Sequence, residues 1–258
     1  MRRIAAALAA AALVVGCASV DDLVSRLQPL ARGERIEVAT FSRGALGEEP
    51  ARAWLPYIVT PAKPRTDYRI RRIDGVLALE ARAHHSASGL YRPMRIDPRE
   101  HPLLEWRWKV ESLIPGADNE VAHREDSPVR LILAFHGDPA KLDFFDRGKM
   151  RLAKALSGQD LPYATLMYVW SNEHPVGTVI HNPHLSRIRM IVVDSGEARV
   201  GEWVAHERDV HADYRRAFEE EPDVIHSVGL MTDTDNTRTH VRAWYGDITF
   251  RTRAPRAP

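Results

Sequence analysis

Hydrophobic and polar residues alternate with a period of two along most of the chain, from about residue 35 to residue 250. Alternation of this kind is typical of β-strands that bury one face. Clusters of Pro, Gly, Asp and Asn separate the alternating segments, which predicts short strands joined by turns. The predicted strands are residues 35–41, 54–59, 67–73, 76–83, 89–96, 103–110, 129–136, 163–170, 176–181, 187–194, 200–207, 224–231 and 240–250. So many short strands at close spacing indicate a mainly β protein, a sandwich or a barrel.

Two segments replace this period by helical spacing. Residues 142–156 place Phe145 and Leu152 two turns apart, and residues 209–220 place Val210 and Tyr214 on one face. We expect two helices inserted into the β core. With 258 residues, of which 44% are hydrophobic, the chain is long enough to bury a full core. The pattern therefore predicts a single domain over residues 35–250.

The first residues have the composition of a secretory leader. A basic start, Arg2 and Arg3, precedes an apolar run over residues 4–15 that ends in small residues directly before Cys17. The run is too short to span a bilayer as a helix. A cysteine at this place resembles a lipobox, so we expect a signal peptide over residues 1–16 and lipidation of Cys17. Plain secretion is the alternative.

The residue after the cysteine bears on location. It is Ala18, not the aspartate that typically retains lipoproteins in the inner membrane, so we expect the periplasmic face of an outer membrane. Residues 17–34 are predicted to be a lipid-anchored tether, and residues 251–258 a disordered tail. Because Cys17 is the only cysteine, the domain has neither a disulfide nor a cysteine metal site.

The balance of positive and negative charges argues against a nucleic-acid partner. The chain carries 36 Lys plus Arg and 35 Asp plus Glu, and without Arg2 and Arg3 the formal charge is −1. Such a balance lacks the basic footprint of a nucleic-acid-binding protein. We therefore expect no nucleic-acid partner, and contact with a membrane through the N-terminal lipid.

Residues 104–110 alternate strictly and predict a strand with two different faces. Trp106 and Trp108 share one face with apolar neighbours, which favours burial in the core over stacking on sugar rings. Glu105, Arg107 and Lys109 share the other face. This face is either a polar groove that binds a ligand or a solvated ladder of ion pairs.

Arg130 lies near the start of an apolar run, residues 131–135, that is typical of a central strand buried on both faces. A buried arginine needs a carboxylate partner, and the sequence offers Asp126 four residues earlier or Glu105 on a neighbouring strand. The pair is either structural or a preorganised arginine that binds a carboxylate, a sulfate or a hydroxyl-rich ligand. The candidate ligand-binding residues are Glu105, Arg107, Asp126 and Arg130.

The densest group of oxygen donors lies in residues 231–237. Asp233, Asp235 and Asn236 offer hard oxygens at a spacing that calcium tolerates, although the EF-hand pattern is absent. Asp247 on the last strand is a further donor if the turn folds back on it. The alternative is a turn held by its own Asp, Asn and Thr side chains. No cofactor is expected apart from structural calcium.

No strong catalytic motif is present. His174, His181 and His184 lie among turn residues, and the sequence has no His-Glu-x-x-His, Gly-x-Ser-x-Gly or phosphate-binding pattern. Carboxylate pairs for glycoside hydrolysis remain open, because their separation depends on the fold.

Several segments in one order resemble a bacterial family. They are Trp106-Arg107-Trp108, Asp126 with Arg130, Tyr168-Val169-Trp170, Trp203 with Asp213-Tyr214, Met231 to Thr237 and Tyr245-Gly246-Asp247-Ile248. The set resembles domain-of-unknown-function family 3047 (DUF3047) over about residues 36–250, which implies an exported protein with no established activity. The closing Gly-Asp-Ile strand is also similar to the last strand of jelly-roll carbohydrate-binding modules. That likeness implies an antiparallel, jelly-roll-like β-sandwich.

Together these features favour a non-catalytic module that binds a glycan or another cell-envelope component. The first alternative is a periplasmic glycan hydrolase with Glu105, Asp126, Asp233 and Asp235 as candidate acids and bases. The second alternative is a structural accessory that docks on an envelope protein.

Overall fold

The computed structural model describes residues 28–49, 53–142, 144–157 and 161–253. The predicted leader, Cys17, the first part of the tether and residues 254–258 lie outside these ranges. The strands are Arg35–Ala39 (β1), Leu55–Ile58 (β2), Asp67–Ile73 (β3), Val76–His84 (β4), Ala87–Ile96 (β5), Leu103–Val110 (β6), Ser127–Phe135 (β7), Ala164–Ser171 (β8), Val179–His181 (β9), Ile188–Ser195 (β10), Val204–Asp209 (β11), Ile225–Asp233 (β12) and His240–Arg251 (β13). The α-helices are Phe144–Ser157 (α1) and Val210–Phe218 (α2).

The strands form two sheets that face each other. One sheet has the order β11-β6-β13-β4-β3, with β1 also paired to β13, and the other has the order β2-β5-β12-β7-β8-β10-β9. The mainly β sandwich with two short helices that the sequence predicts is therefore confirmed. Each predicted strand is present, and the largest displacement is that of β11, which begins at Val204 and not at residue 200.

One strand pair departs from the predicted antiparallel arrangement. Strands β8 and β10 run parallel, with Thr165 opposite Ile188. Parallel neighbours need a crossover connection. The long link over residues 172–187 provides it, and β9 within that link pairs antiparallel with the outer side of β10. The seven-stranded sheet is therefore mixed.

A contiguous core fills the space between the sheets. In β7, Val129, Leu131, Leu133 and Phe135 all belong to this core, so the intervening Arg130 points to the outer face of its sheet. Helix α2 contributes Val210, Tyr214 and Ala217 to the same core. The apolar face of α2 therefore packs into the sandwich, which explains the helical spacing found there.

The two ends of the seven-stranded sheet differ. At one end, which we call the helix end, Phe135 lies opposite Ile225 and Ala164, and α1 lies in the connection that follows β7. Leu30 forms a β-bridge with Arg95 near this end, where the described N-terminal segment joins the domain. At the other end, the turn end, β12 finishes at Asp233 before the chain turns into β13.

Trp106 and Trp108 lie in the core, as their apolar neighbours predicted. Trp108 Nε1 donates a 2.7 Å hydrogen bond to the buried Asp194 carboxylate, and His206 Nε2 lies 2.8 Å from the same oxygen. Trp106 stacks on Tyr168 with ring centroids 5.0 Å apart. Its buried Nε1 has no hydrogen-bond partner among the described residues. The two indoles therefore differ in their polar contacts although both are buried.

This difference predicts unequal effects of two matched substitutions. Trp108→Phe removes a donor from a buried carboxylate, whereas Trp106→Phe removes an N–H group without a partner. We expect Trp108→Phe to lower the free energy of unfolding by about 1–3 kcal/mol more than Trp106→Phe does. Urea unfolding of both variants measures the difference, and equal losses would contradict the role of the Asp194 bond.

Candidate functional site

Five of the residues singled out in the sequence meet at the turn end of the seven-stranded sheet. They are Asp126, Arg130, Asp233, Asp235 and Asn236, and they come from the segment before β7, from β7, from β12 and from the turn after β12. Glu125 and Lys63 join them through ion pairs. We call Lys63, Glu125, Asp126, Arg130, Asp233 and Asp235 the turn-end cluster.

Arg130 is the centre of the cluster. Its Nε and Nη2 donate to the two oxygens of Asp233 at 3.0 and 3.1 Å, a bidentate pair. Its Nη1 donates to Glu125 Oε1 at 2.6 Å, and Nη2 also donates to the Glu125 carbonyl oxygen at 3.1 Å. Because the guanidinium is buried, these bonds replace its hydration and hold β7 to β12. The sequence suggested Asp126 or Glu105 as its partner, and the structure pairs it with Asp233 and Glu125.

Asp126 instead fixes the turn that follows β12. Its Oδ2 accepts hydrogen bonds of 2.7 Å from the backbone N–H and the hydroxyl of Thr237. Its Oδ1 accepts a bond of 3.3 Å from the Asn236 N–H, while Asn236 Nδ2 donates to the Glu125 carbonyl. The segment before β7 and the turn after β12 are thereby joined. The two carboxylates in adjacent positions 125 and 126 serve different partners, because their side chains leave the loop in different directions.

Negative charge exceeds positive charge in the cluster. Four carboxylates, Glu125, Asp126, Asp233 and Asp235, face two cations, Arg130 and Lys63. Burial raises the pKa of Asp233 to about 7 against the opposing effect of Arg130, and Glu125 and Asp126 raise it further. The raised pKa shows that further negative charge is costly here. A bound cation would offset this cost.

The carboxylates are close enough to share a metal ion. One oxygen from each of Asp126, Asp233 and Asp235 lies within 4.8 Å of the others. A carboxylate oxygen has two lone pairs, and Asp126 Oδ1 and Asp233 Oδ2 accept one hydrogen bond each, so both retain capacity for a ligand bond. Carboxylate oxygens without sulfur or imidazole match a hard cation such as calcium. The donor set therefore fits the calcium expected from the sequence.

An aromatic residue lies across the sheet from the cluster. Tyr57, Gly89, Met231, Arg130 and Val169 occupy paired positions on five neighbouring strands. Their side-chain positions fall on the outer face, because the intervening residues of β7 enter the core. Burial raises the pKa of Tyr57. The charge of Arg130 lowers this pKa, and the charges of Glu125 and Asp233 raise it. Tyr57 and the cluster therefore border the same part of the outer face.

Three predicted site residues lie on the other sheet. Glu105 pairs with Arg251 at 2.6 Å and with Arg35 at 3.2 Å, which is the ladder of ion pairs weighed from the sequence. The Arg107 guanidinium lies 4.9 Å from the centroid of the Trp203 ring.

Asp247 also lies apart from the cluster. Its two oxygens accept bonds of 2.9 and 2.5 Å from the backbone N–H and the hydroxyl of Ser42. The turn after β12 does not fold back on Asp247, because β13 carries that residue onto the six-stranded sheet.

Sequence reasoning missed Glu125, Lys63 and Tyr57. Glu125 precedes Asp126 directly, and the Glu-Asp pair ahead of a buried arginine was an available signal. Tyr57 lies in β2, and Lys63 lies in the connection after it. Their proximity to the cluster depends on the strand order of the sheet. That order is not contained in the alternation of apolar residues.

Two clefts of the described surface lie away from the cluster. One is lined by residues that include Phe41, Arg43, Trp54 and Arg92, and the other by residues that include Asp146, Met150 and Ile188. Neither cleft contains a residue of the turn-end cluster. Lys63, Asp235 and the neighbouring Asn236 are partly exposed and form a rim beside the buried members of the cluster.

Comparison with known proteins yields one family and several structures. The family described as "Protein of unknown function (DUF3047)" matches residues 52–249. No curated protein matches the sequence. Among solved structures, the chain is similar to the family 11 carbohydrate-binding module of the cellulosomal cellulase Lic26A-Cel5E of Clostridium thermocellum. The identity is 9%, the TM-score is 0.43, and the match covers 90% of this chain and 100% of that chain.

Two further structures are similar at the same level. Endoglucanase 3 of Trichoderma harzianum, from family GH12, has 7% identity and a TM-score of 0.42, and 86% of this chain and 100% of that chain are covered. The K2 cleaved adhesin domain of Lys-gingipain has 11% identity and a TM-score of 0.40, and 84% of this chain and 99% of that chain are covered.

The Arg130 bonds predict that Asp233 and Asp235 differ in importance for stability. At about pH 8, where Asp233 is ionised, Asp233→Asn leaves a buried guanidinium without its bidentate partner and should cost about 3–5 kcal/mol of unfolding free energy. Asp235→Asn removes only a partly exposed contact with Lys63 and should cost less than about 1 kcal/mol. Chemical unfolding tests both variants. A small loss for Asp233→Asn would show that the pair with Arg130 is not ionic.

Proposed function

We propose that this chain, which belongs to the DUF3047 family, is an exported, lipid-anchored β-sandwich that binds a cell-envelope polymer. A glycan is the ligand whose chemistry fits best. The proposed binding surface is the rim formed by the turn-end cluster, Asn236 and Tyr57. In this proposal the protein has no chemistry of its own, and calcium bound by the cluster shapes the rim.

The observation that carries the proposal is the turn-end cluster itself. Buried hydrogen bonds through Arg130 and Asp126 fix the segments from which Asp235 and Asn236 reach the partly exposed rim, and Lys63 joins the rim through its ion pair with Asp235. Amide, carboxylate and ammonium groups are suitable partners for sugar hydroxyls, and the partly exposed Tyr57 adds an aromatic ring. A rigid base with partly exposed polar groups and an aromatic ring is typical of a binding surface.

The same contacts disfavour the hydrolase alternative. A general acid or base must reach the substrate. Asp233 and Asp126 are only 4% and 1% exposed, and their oxygens accept bonds from Arg130, Ser127 and Thr237. Glu105 lies on the other sheet in partly exposed ion pairs. These three carboxylates are thus bonded to partners within the protein.

The sequence around Cys17 supports the proposed location at the outer membrane. Its place after a basic start and an apolar run suits lipidation, and Ala18 suits transfer to the periplasmic face of the outer membrane. Among the described residues, no helix is long and apolar enough to span a membrane. In this proposal the chain contacts the membrane through the N-terminal lipid.

Calcium should stabilise the folded protein. A ligand at one hundred times its dissociation constant adds about 2.7 kcal/mol, so calcium should raise the melting temperature and EDTA should lower it. Asp235→Asn removes one of the three close carboxylates and should abolish the response to calcium. Glu105→Gln is the control on the other sheet and should respond like the unsubstituted protein. Indifference of the unsubstituted protein to both calcium and EDTA would exclude the metal.

Ligand binding should depend on Tyr57 and not on Glu105. A panel of envelope oligosaccharides and peptidoglycan fragments is first screened for shifts in melting temperature, and calorimetry then gives the dissociation constant of the best ligand. Tyr57→Leu keeps an apolar strand residue but removes the ring, and should weaken binding about tenfold, ~1.4 kcal/mol. Glu105→Gln should leave the constant within about twofold.

Two outcomes would contradict this proposal. Loss of binding in Glu105→Gln with normal binding in Tyr57→Leu would place the ligand on the six-stranded sheet. If chromatography shows that the protein shortens the same oligosaccharides, it is a hydrolase and not a binding module.

A further inference from the structure

Helix α1 presents an apolar face to solvent. Phe144, Phe145 and Leu152 are 75%, 77% and 61% exposed, which is unusual for side chains of this size. Phe145 and Leu152 are seven residues apart and share one side of a helix with 3.6 residues per turn. Phe144 lies one position before Phe145, at the adjoining edge of that side. The helix therefore has a continuous apolar strip that no described residue covers.

The opposite side of α1 faces the domain. Asp146 accepts a hydrogen bond from the Ser186 hydroxyl. Met150 borders a cleft together with Leu185, which precedes β10, and Ile188, the first residue of β10. Asp146 and Met150 lie roughly 100–160° around the helix from Phe145 and Leu152. Because Phe145 and Leu152 are exposed, their strip points away from the protein body. The strip is thus not the face by which α1 packs on the sheet.

Basic residues accompany the apolar strip. In sequence, residues 144–157 contain four basic residues, Arg147, Lys149, Arg151 and Lys154, and a single acidic one, Asp146. Arg151 is exposed and Arg147 is partly exposed, and both lie beside Phe144 on the helix surface. Exposed aromatic residues flanked by arginines match the headgroup region of a bilayer that contains anionic lipids. Apolar side chains alone would not distinguish lipid from protein, and the charge supplies the distinction.

The position of α1 relative to the N-terminus supports the same partner. The described chain begins at Gln28, and Leu30 bridges to Arg95 near the end of β5. Ile96 lies opposite Ile225, which lies opposite Phe135, and the connection after Phe135 contains α1. The segment that leads from Cys17 therefore joins the domain at the helix end. The turn-end cluster lies at the opposite end of the same sheet.

We propose that α1 is a membrane-interface helix whose partner is the surface of a bilayer containing anionic lipids. The proposal rests on the lipid-anchored location described above, and it adds a second contact between domain and membrane. Phe144, Phe145 and Leu152 enter the headgroup and upper acyl region, while the arginines contact lipid phosphates. The turn-end cluster then faces away from the membrane, toward the polymer that it binds.

Vesicle binding by residues 18–258 tests this proposal, since this form lacks the leader and the acylated cysteine but contains every described residue. The probes are vesicles of phosphatidylcholine alone and vesicles with roughly 30% phosphatidylglycerol. We expect binding to the anionic vesicles. The double variant Phe144→Ser with Phe145→Ser should lower the partition coefficient at least about tenfold, and Arg147→Glu with Arg151→Glu should remove the preference for phosphatidylglycerol.

The matched control is Val176→Ser. Val176 is 63% exposed but lies in the loop after β8, at the turn end. Its substitution should leave vesicle binding within about twofold of the unsubstituted value. Far-ultraviolet circular dichroism and the melting temperature verify that each variant is folded.

Each remaining outcome overturns the membrane proposal. Equal binding of the phenylalanine variant and the unsubstituted protein would place the lipid contact elsewhere. No vesicle binding, with a dimer that the phenylalanine substitutions dissociate, would identify a second copy of the chain as the occupant of the strip. Lipidation is tested separately by the mass of the N-terminal peptide from the exported chain. Failure of the anchor and failure of the α1 contact are therefore distinguishable.

Discussion

The buried guanidinium of Arg130 constrains the turn end of the seven-stranded sheet. It lies on a central strand, where its charge has no access to bulk water, so carboxylates must surround it. Asp233 and Glu125 meet this requirement, and in doing so they fix the end of β12 and the segment before β7. Asp126, next to Glu125, accepts hydrogen bonds from Thr237 and thereby fixes the turn after β12. A single buried charge thereby determines the shape of the rim at which we propose binding.

This constraint also explains why the cluster carries surplus acid. Two carboxylates are sufficient to pair with Arg130, yet Asp126 and Asp235 lie close to Asp233 as well. Asp126 is needed for the turn, where it accepts backbone N–H bonds, and Asp235 contacts Lys63. The surplus therefore results from fixing two segments in the same place. The calcium ion proposed above would offset this surplus at a place where burial, and then Glu125 and Asp126, raise the pKa of Asp233.

The strands and helices were predictable because burial of one face imposes a period on the sequence. The partners of individual side chains were less predictable. Glu105 and Asp247 are on strands that were correctly placed in sequence, but these strands belong to the six-stranded sheet. Strand order depends on long-range packing, which a period of two does not encode. Asp126, Arg130, Asp233, Asp235 and Asn236 lie together because their segments meet at one end of the sheet, although Arg130 pairs with Asp233 and Glu125 and not with Asp126.

The basic helix α1 and the acidic turn-end cluster lie at opposite ends of the seven-stranded sheet. The charges of the chain nearly balance, but residues 144–157 contain four basic residues and one acidic residue, while the turn-end cluster contains four carboxylates and two cations. An anionic surface attracts α1 and repels the surplus acid of the cluster, within a distance of about 10 Å at moderate ionic strength. The tether and α1 therefore favour the same orientation in the proposal. A lipid alone would anchor the domain without orienting it, whereas the apolar strip beside Arg147 and Arg151 adds the second point that orientation requires.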